Sequence, residues 1–151
     1  MDRYLTFVLE DEKYGVEISS IKEIIALQKV VPIPQTPIYV KGVMNLRGVI
    51  IPIIDFRLKL EMLEREAKMH TAIIILKIHD IEIGFIVDEV CEVLNILQDK
   101  LSNTPAFGAN INTELIKYMA RVKKDVIMIL DMEKVLDTNE VNSMKSFSKQ
   151  Q

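Results

Sequence analysis

KYGVEISSIKEII at residues 13–25 and EIGFIVDEVCEVL at residues 82–94 are two versions of one pattern. They overlay at a constant offset of 69, which places Gly15 on Gly84 and Glu23 on Glu92. The apolar positions coincide around these points, Ile18 with Val87, Ile21 with Val90, Ile24 with Val93 and Ile25 with Leu94, while Ser19 and Ser20 meet Asp88 and Glu89. A second pair follows in the same order: IIPIIDFRLKL at 50–60 overlays VIMILDMEKVL at 126–136, with Asp55 on Asp131 and Leu60 on Leu136. Its offset is 76, so seven residues are absorbed between the matched blocks. The polar stretch Asn103 to Thr113 carries them, as a loop insertion in a duplicated unit would.

Within each copy the apolar runs are short, rich in Ile and Val, and separated by turn signals, which predicts many brief strands. Leu5–Leu9, Val49–Ile54, Ala72–Leu76 and Val126–Leu130 are examples, with turns expected at Glu12-Lys13, His79-Asp80 and Lys124-Asp125. Helical spacing is confined to Asp55–Leu60 and Asp131–Leu136, each opened by an Asp suited to an N-cap. A unit of roughly 65 residues with about five strands closes most economically into a small barrel, because closure removes exposed edges. The fold class is therefore mainly β: two five-stranded barrels side by side, with short helical turns.

A unit that small buries only about 60% of its unfolded surface, so the copies are expected to share an interface. Ile73-Ile74-Ile75 and Ile50-Ile51 carry apolar side chains on both pleat faces. One face fills a barrel, and the other needs a neighbour, either the second barrel or another protein. Pro52 implies an edge or bulge position. Residues 1–137 read as one domain of two intertwined subdomains, about 15–80 with part of the C-terminus and 81–137 with part of the N-terminus. Residues 138–151, polar and non-periodic, read as a flexible tail.

Charge and composition narrow the function. Nineteen basic and 22 acidic residues give a net charge of -3 with no basic stripe, so no nucleic-acid partner is expected. No run spans a bilayer and Met1–Leu9 lacks the form of a secretory signal, so neither direct membrane insertion nor export is expected. Cys91, the one cysteine, excludes an internal disulfide and fits a reducing compartment, with the cytoplasm as the default. His70, His79 and Cys91 are the only soft catalytic candidates. His79 with Asp80 and Glu82 could ligate a metal but reads better as a turn, and Cys91, with apolar neighbours Val90 and Val93, reads as an inert thiol. With five glycines and no phosphate-binding fingerprint, no cofactor, metal or nucleotide is expected.

The segment GVMNLRGVIIPIIDFR at 42–57 joins an Asn-Leu-Arg-Gly turn to a Pro-containing strand that ends in Asp and Arg. Together with YGVEISSIKEI at 14–24, VVPIPQTPIYVKG at 30–42 and IGFIVDEVCEVL at 83–94, it closely resembles the CheW coupling protein family of bacterial chemotaxis. The likeness runs from Tyr4 to Asp137 and leaves no room for a further domain, against both the homologous segment of the chemotaxis kinase and a fusion to a receiver domain. The resemblance implies a pair of SH3-like barrels that catalyse nothing. It implies recruitment to membrane-bound receptor arrays, with the chemoreceptor cytoplasmic signalling tip in a groove between the barrels and the regulatory domain of the histidine kinase CheA on separate barrel surfaces.

Carried over by position, the resemblance marks Arg47, Gly42, Ile21, Glu23, Val93 and Phe107 as partner-binding residues. Each has a structural alternative. Arg47 could satisfy loop carbonyls, Gly42 could supply positive φ, and Ile21 and Val93 could be core. Glu23 could be a solvated charge, and Phe107 in the inserted loop has no evident core partner. Tyr118 stands where the family pattern has glycine, so the local strand must differ or the ring must point outward. The competing assignments are a CheW-like adaptor of a different sensory or motility pathway, and a small hydrolase built on His79, Asp80 and Cys91.

Overall fold

The computed structural model describes residues 2–103 and 114–148. Eleven strands form two sheets: β1 (Asp2–Leu9), β2 (Glu12–Glu17), β3 (Ile21–Ala26), β4 (Val40–Leu46), β5 (Val49–Asp55), β6 (Ala72–Ile78), β7 (Ile81–Val87), β8 (Glu89–Ile96), β9 (Leu101–Ser102), β10 (Ile116–Val122) and β11 (Asp125–Leu130). Sheet one runs β8-β1-β2-β11-β10-β9, and sheet two runs β3-β6-β7-β5-β4. The short helices α1 (Phe56–Lys59) and α2 (Met132–Val135) follow β5 and β11. Asp55 and Asp131 cap them as expected, accepting from the N–H groups of Leu58 and Glu133.

The repeat becomes intelligible in this topology. β2 crosses from sheet one into β3 of sheet two, and β7 crosses from sheet two into β8 of sheet one. The duplicated segment is thus a crossing strand pair, and each sheet takes strands from both copies. The parallel pairings carry the same symmetry, with Ile53 opposite Gly84 in β5–β7 and Ile129 opposite Gly15 in β11–β2. A β-carbon on Gly84 would lie 2.7 Å from Ile53 Cδ1, and one on Gly15 would lie 2.8 Å from Ile129 Cδ1. The two matched glycines are the places where an isoleucine of one copy lies over the backbone of the other.

Three apolar clusters result. One face of sheet two gathers Met44, Ile51, Ile53, Ile73 and Ile75, with Ile25 and Ile86 beside them, so all five strands line one interior. Sheet one encloses Tyr4, Ile96, Ala120, Ile127 and Ile129 in the same way. The largest cluster lies between the sheets, where Leu5, Phe7, Leu9 and Val16 meet Ile54, Ile74, Leu76 and Phe85. An aromatic file crosses it from Tyr14 to Phe7, Phe56 and Phe85, with centroids 6.0, 5.4 and 4.9 Å apart. The second face of the Ile73-Ile74-Ile75 run is therefore covered by the other barrel, because Ile74 points into the shared cluster.

Several expectations need correction. The hairpin turns fall at Glu10-Asp11 and Lys123-Lys124, a residue or two before the expected positions, and Glu10, Asp11 and Lys123 take positive φ. β5 is interior and not an edge, yet Pro52 is accommodated. Val43 spends both its backbone hydrogen bonds on Val31, so the Val43–Pro52 pair is non-hydrogen-bonded, and pairing of β5 with β7 starts only at Ile53. The strand bulges at Ile116/Tyr118 as its counterpart does at Val40/Gly42. Tyr118 keeps negative φ and packs half-buried against the sheet-one cluster, so the strand differs locally from a glycine-dependent one.

The largest correction is residues 138–148, expected as part of a flexible tail. They form α3 (Thr138–Ser148), which packs on β5 and β7 and buries Val141 and Met144 in the shared cluster. Asp137 and Glu140 form a reciprocal capping box, each side chain accepting from the other's backbone N–H at 3.0 and 2.8 Å. Tyr39 Oη donates to Glu140 at 2.7 Å and Lys59 pairs with the same carboxylate at 3.2 Å, which anchors the helix start.

Two stability measurements follow. Met144→Ala should lower unfolding free energy by about 2–5 kcal/mol, the usual cost of emptying a buried methionine site, in a denaturant titration. Gly84→Ala should cost about 1–3 kcal/mol by overpacking, and Ile53→Val in the same chain should recover part of the loss by removing the Cδ1 that the new methyl meets.

Candidate docking surface

The Asn-Leu-Arg-Gly segment closes β4 and supplies, with Arg47 and Gly48, the two-residue turn into β5. Arg47 and Gly48 have φ of 52° and 86°, and Asn45 Oδ1 accepts from Gly48 N at 2.8 Å. Among the described residues Arg47 bonds a carboxylate and no loop carbonyl. Its guanidinium makes a two-pronged contact with the Glu23 carboxylate, Nη1 to Oε2 at 3.1 Å and Nη2 to Oε1 at 2.5 Å. Glu23 is on β3, and β3 and β4 are the opposite ends of sheet two. An ion pair can join those ends only if the sheet curls round, so Arg47–Glu23 marks where the barrel closes.

The pair faces solvent, with the Arg47 side chain 68% exposed. The Arg47 hydrogen bonds hold the Glu23 carboxyl below the usual range, and Glu23 in turn holds the guanidinium firmly charged. Gly42 has φ of 139°, and a β-carbon there would fall 1.9 Å from the Val31 carbonyl oxygen. No side chain fits, because the 31–32 backbone lies directly against β4. Ile21 is half-buried at the margin of the shared cluster, with Ile24 farther along β3 at 42% exposed. Arg47, Glu23, Ile21 and Gly42 thus belong to one barrel. Val93 lies on the other, at 40% exposed on β8, the first strand of sheet one. Phe107 lies outside the described residues.

The barrel of sheet one presents the same corner in altered form. Glu92 and Lys123 occupy the positions of Glu23 and Arg47 under the two repeat offsets, and Lys123 again has positive φ, at 56°. No ion pair joins them among the described residues. Thr6 fills the β1–β8 bulge there, donating to Glu92 O at 2.8 Å and accepting from Glu92 N at 3.2 Å.

Sequence reasoning missed the polar junction between the barrels. Arg57, in α1, is 3% exposed. Its Nε donates to Asp88 Oδ1 at 2.7 Å, its Nη2 to Asp88 Oδ2, and its Nη1 to Glu10 Oε1 at 3.1 Å. A buried cation requires such partners, but they lie 31 and 47 residues away and could not be read locally. Burial opposes the Asp88 charge, yet hydrogen bonds from Arg57 and from Glu10 N outweigh it and keep the carboxyl below its ordinary value.

The hydrolase candidates do not assemble. His79 and Asp80 are the β6–β7 turn, with φ of 48° and 71°, while Cys91 is on β8 with its thiol pushed up by partial burial and by Glu89. The described residues hold no group of three side chains placed to bind a metal, and no described helix is long and apolar enough to cross a membrane.

The CheW-like domain model matches residues 3–140. The chain belongs to the CheW-like family. Chemotaxis protein CheW of Klebsiella aerogenes is 32% identical over 146 residues, 97% of this chain and 88% of that protein. CheW of Treponema pallidum is 33% identical across 93% and 85% of the two chains. The crystal structure of the scaffolding protein TtCheW from Thermoanaerobacter tengcongensis superposes with a TM-score of 0.82 at 29% identity, covering 92% of this chain and 94% of that one. This CheW-type chain is a chemotaxis coupling adaptor, a non-catalytic scaffold within the chemotaxis signalling complex.

The acid limb of stability should report on Asp88. Its folded pKa is below the unfolded one, so its contribution is complete above the ordinary carboxylate pKa of about 4 and is lost as pH falls through the lower folded value. Unfolding free energy measured from pH 6 to pH 2 should fall more steeply for the native chain than for Asp88→Asn.

Proposed function

We propose that the chain bridges the cytoplasmic signalling tip of a chemoreceptor to the regulatory domain of the histidine kinase CheA, working in the cytoplasm at receptor arrays. The observation that carries this reading is the solvent-facing Arg47–Glu23 pair, held on a rigid turn at the mouth of one barrel with half-exposed apolar side chains nearby on β3. Arginine on an exposed rim beside an apolar strip is the composition of protein–protein interfaces. An amphipathic receptor helix would lay its apolar face along Ile21 and the corresponding strip around Val93, with Arg47 and Glu23 setting register at the rim. Gly42 acts one step back, by letting the 31–32 segment lie against β4. Phe107 is assigned to the kinase side on the family resemblance.

The chain should therefore bind a receptor cytoplasmic fragment and CheA, each in a pull-down with purified components. Arg47→Glu should weaken receptor capture at least about fivefold, the usual threshold for an interface residue, with the melting temperature nearly unchanged because the pair is exposed. A collapsed melt would make Arg47 a structural residue, and a folded chain that captures neither partner would remove the bridging role.

A further inference from the structure

The two sheets exchange strands at two strand-to-strand crossings, and the two are held differently. The β2–β3 crossing, residues 18–20, is flanked by an exposed Lys117–Glu17 pair at 2.9 Å and by an open cavity of about 240 Å³. The β7–β8 crossing is Asp88 itself, and it is gripped from both barrels. From sheet one, its N–H donates to Val8 O at 3.1 Å and its Oδ2 accepts from Glu10 N at 2.9 Å. From sheet two, Arg57 takes both carboxylate oxygens, and the same guanidinium reaches Glu10. At the equivalent positions of the first crossing stand Ser19 for Asp88 and Glu133 for Arg57, so the ion triad has no counterpart there.

We propose that Arg57 is a positioning residue of the adaptor: by tying Asp88 and Glu10 together at one crossing, it fixes the angle between the two barrels. Resting on the bridging role above, this assigns to a residue at the junction of the barrels the task of making one barrel's displacement felt by the other. With Arg57 buried and its carboxylate partners half-exposed, desolvation of the guanidinium offsets much of the attraction, so the pair contributes little net stability but tolerates few geometries. Arg57 and Asp88 also line a groove of about 740 Å³ that runs between Val8 and Asp11 of sheet one and Val40 and Ile86 of sheet two. Rotation about the other crossing would change the width of that groove, and the triad opposes it.

The test measures the free protein, so it is independent of any partner. In a Cys91→Ser background, spin labels at Lys22→Cys and Lys124→Cys report the distance between barrels, and labels at Asn95→Cys and Lys124→Cys report a distance within sheet one. Arg57→Lys keeps the charge but lacks the planar fork that takes both Asp88 oxygens and Glu10 together, and Asp88→Asn removes the charge that Arg57 holds. Both should broaden the inter-barrel distance distribution at least about twofold and leave the internal one unchanged, as loosening of a hinge requires. Unchanged inter-barrel distributions in folded variants overturn the proposal. If both variants unfold, the Arg57→Met, Asp88→Asn double replacement removes the buried pair altogether; broadening there supports the lock, and its failure to fold overturns it in favour of a purely core role. Loss of partner binding with a broadened distribution would support both readings, whereas a native chain that binds neither partner would remove the bridging role and leave the lock standing.

Discussion

The shared core between the sheets is the constraint on which the rest depends. Because each copy gives its first hairpin to the other copy's sheet, neither barrel can exist without the full chain. Leu5, Phe7 and Leu9 of the first hairpin pack on Ile74, Leu76 and Phe85 of the second hairpin across this layer. Burying a side chain of that size is worth about 1.5–3 kcal/mol, and the cluster also receives Val141 and Met144 from α3. The C-terminal helix is thus part of the layer that makes two marginal units into one stable body.

Exchange of hairpins also dictates where the surface is left unfinished. β3 and β8 are the strands that have just crossed over, and each begins a sheet with one side unpaired in the ladder. Their half-exposed Ile24 and Val93 are equivalent under the repeat, and so are Glu23 and Glu92 above them. Ile21, Glu23 and Val93 among the docking candidates lie on these strands, which the crossing leaves at sheet ends. In sheet two Arg47 joins the two ends with an ion pair, while in sheet one Lys123, a point charge without the planar fork of arginine, leaves its Glu92 unpaired among the described residues. The two corners match in position under the repeat and differ chemically at Arg47 and Lys123.

Much of this was legible because the controlling features are local. Short Ile/Val runs, the Asp N-caps and the equivalence of Gly15 with Gly84 follow from residues a few positions apart. Topology was less accessible. The offset of 69 establishes that two segments are alike, but nothing in it says that each one crosses between sheets. Pro52 misled because the rule that puts proline at an edge concerns hydrogen bonds, and Val31 supplies Val43 with those that Pro52 would otherwise have had to share. The 138–148 segment misled through its polarity. Only Val141 and Met144 among its described side chains face inward, too few for a visible stripe, whereas the Asp137-x-x-Glu140 capping box was a readable start signal. Arg47 stood out in its turn, but its ion-pair partner Glu23, 24 residues away, could be joined to it only once the barrel closed.

The polar groups that matter share one property: each joins segments that the backbone ladders leave separate. Arg47–Glu23 spans the two ends of sheet two, Glu140 holds α3 to Tyr39 and Lys59, and Arg57 binds the sheet-one turn to the crossing at Asp88. Apolar burial supplies the free energy but is non-directional, and it would tolerate a range of angles between two barrels in contact. Directional pairs at the seams select one angle from that range. A protein that joins others without changing them chemically has only geometry to offer. Its few charged contacts at barrel mouth, helix start and crossing are therefore better understood as specifying shape than as adding stability.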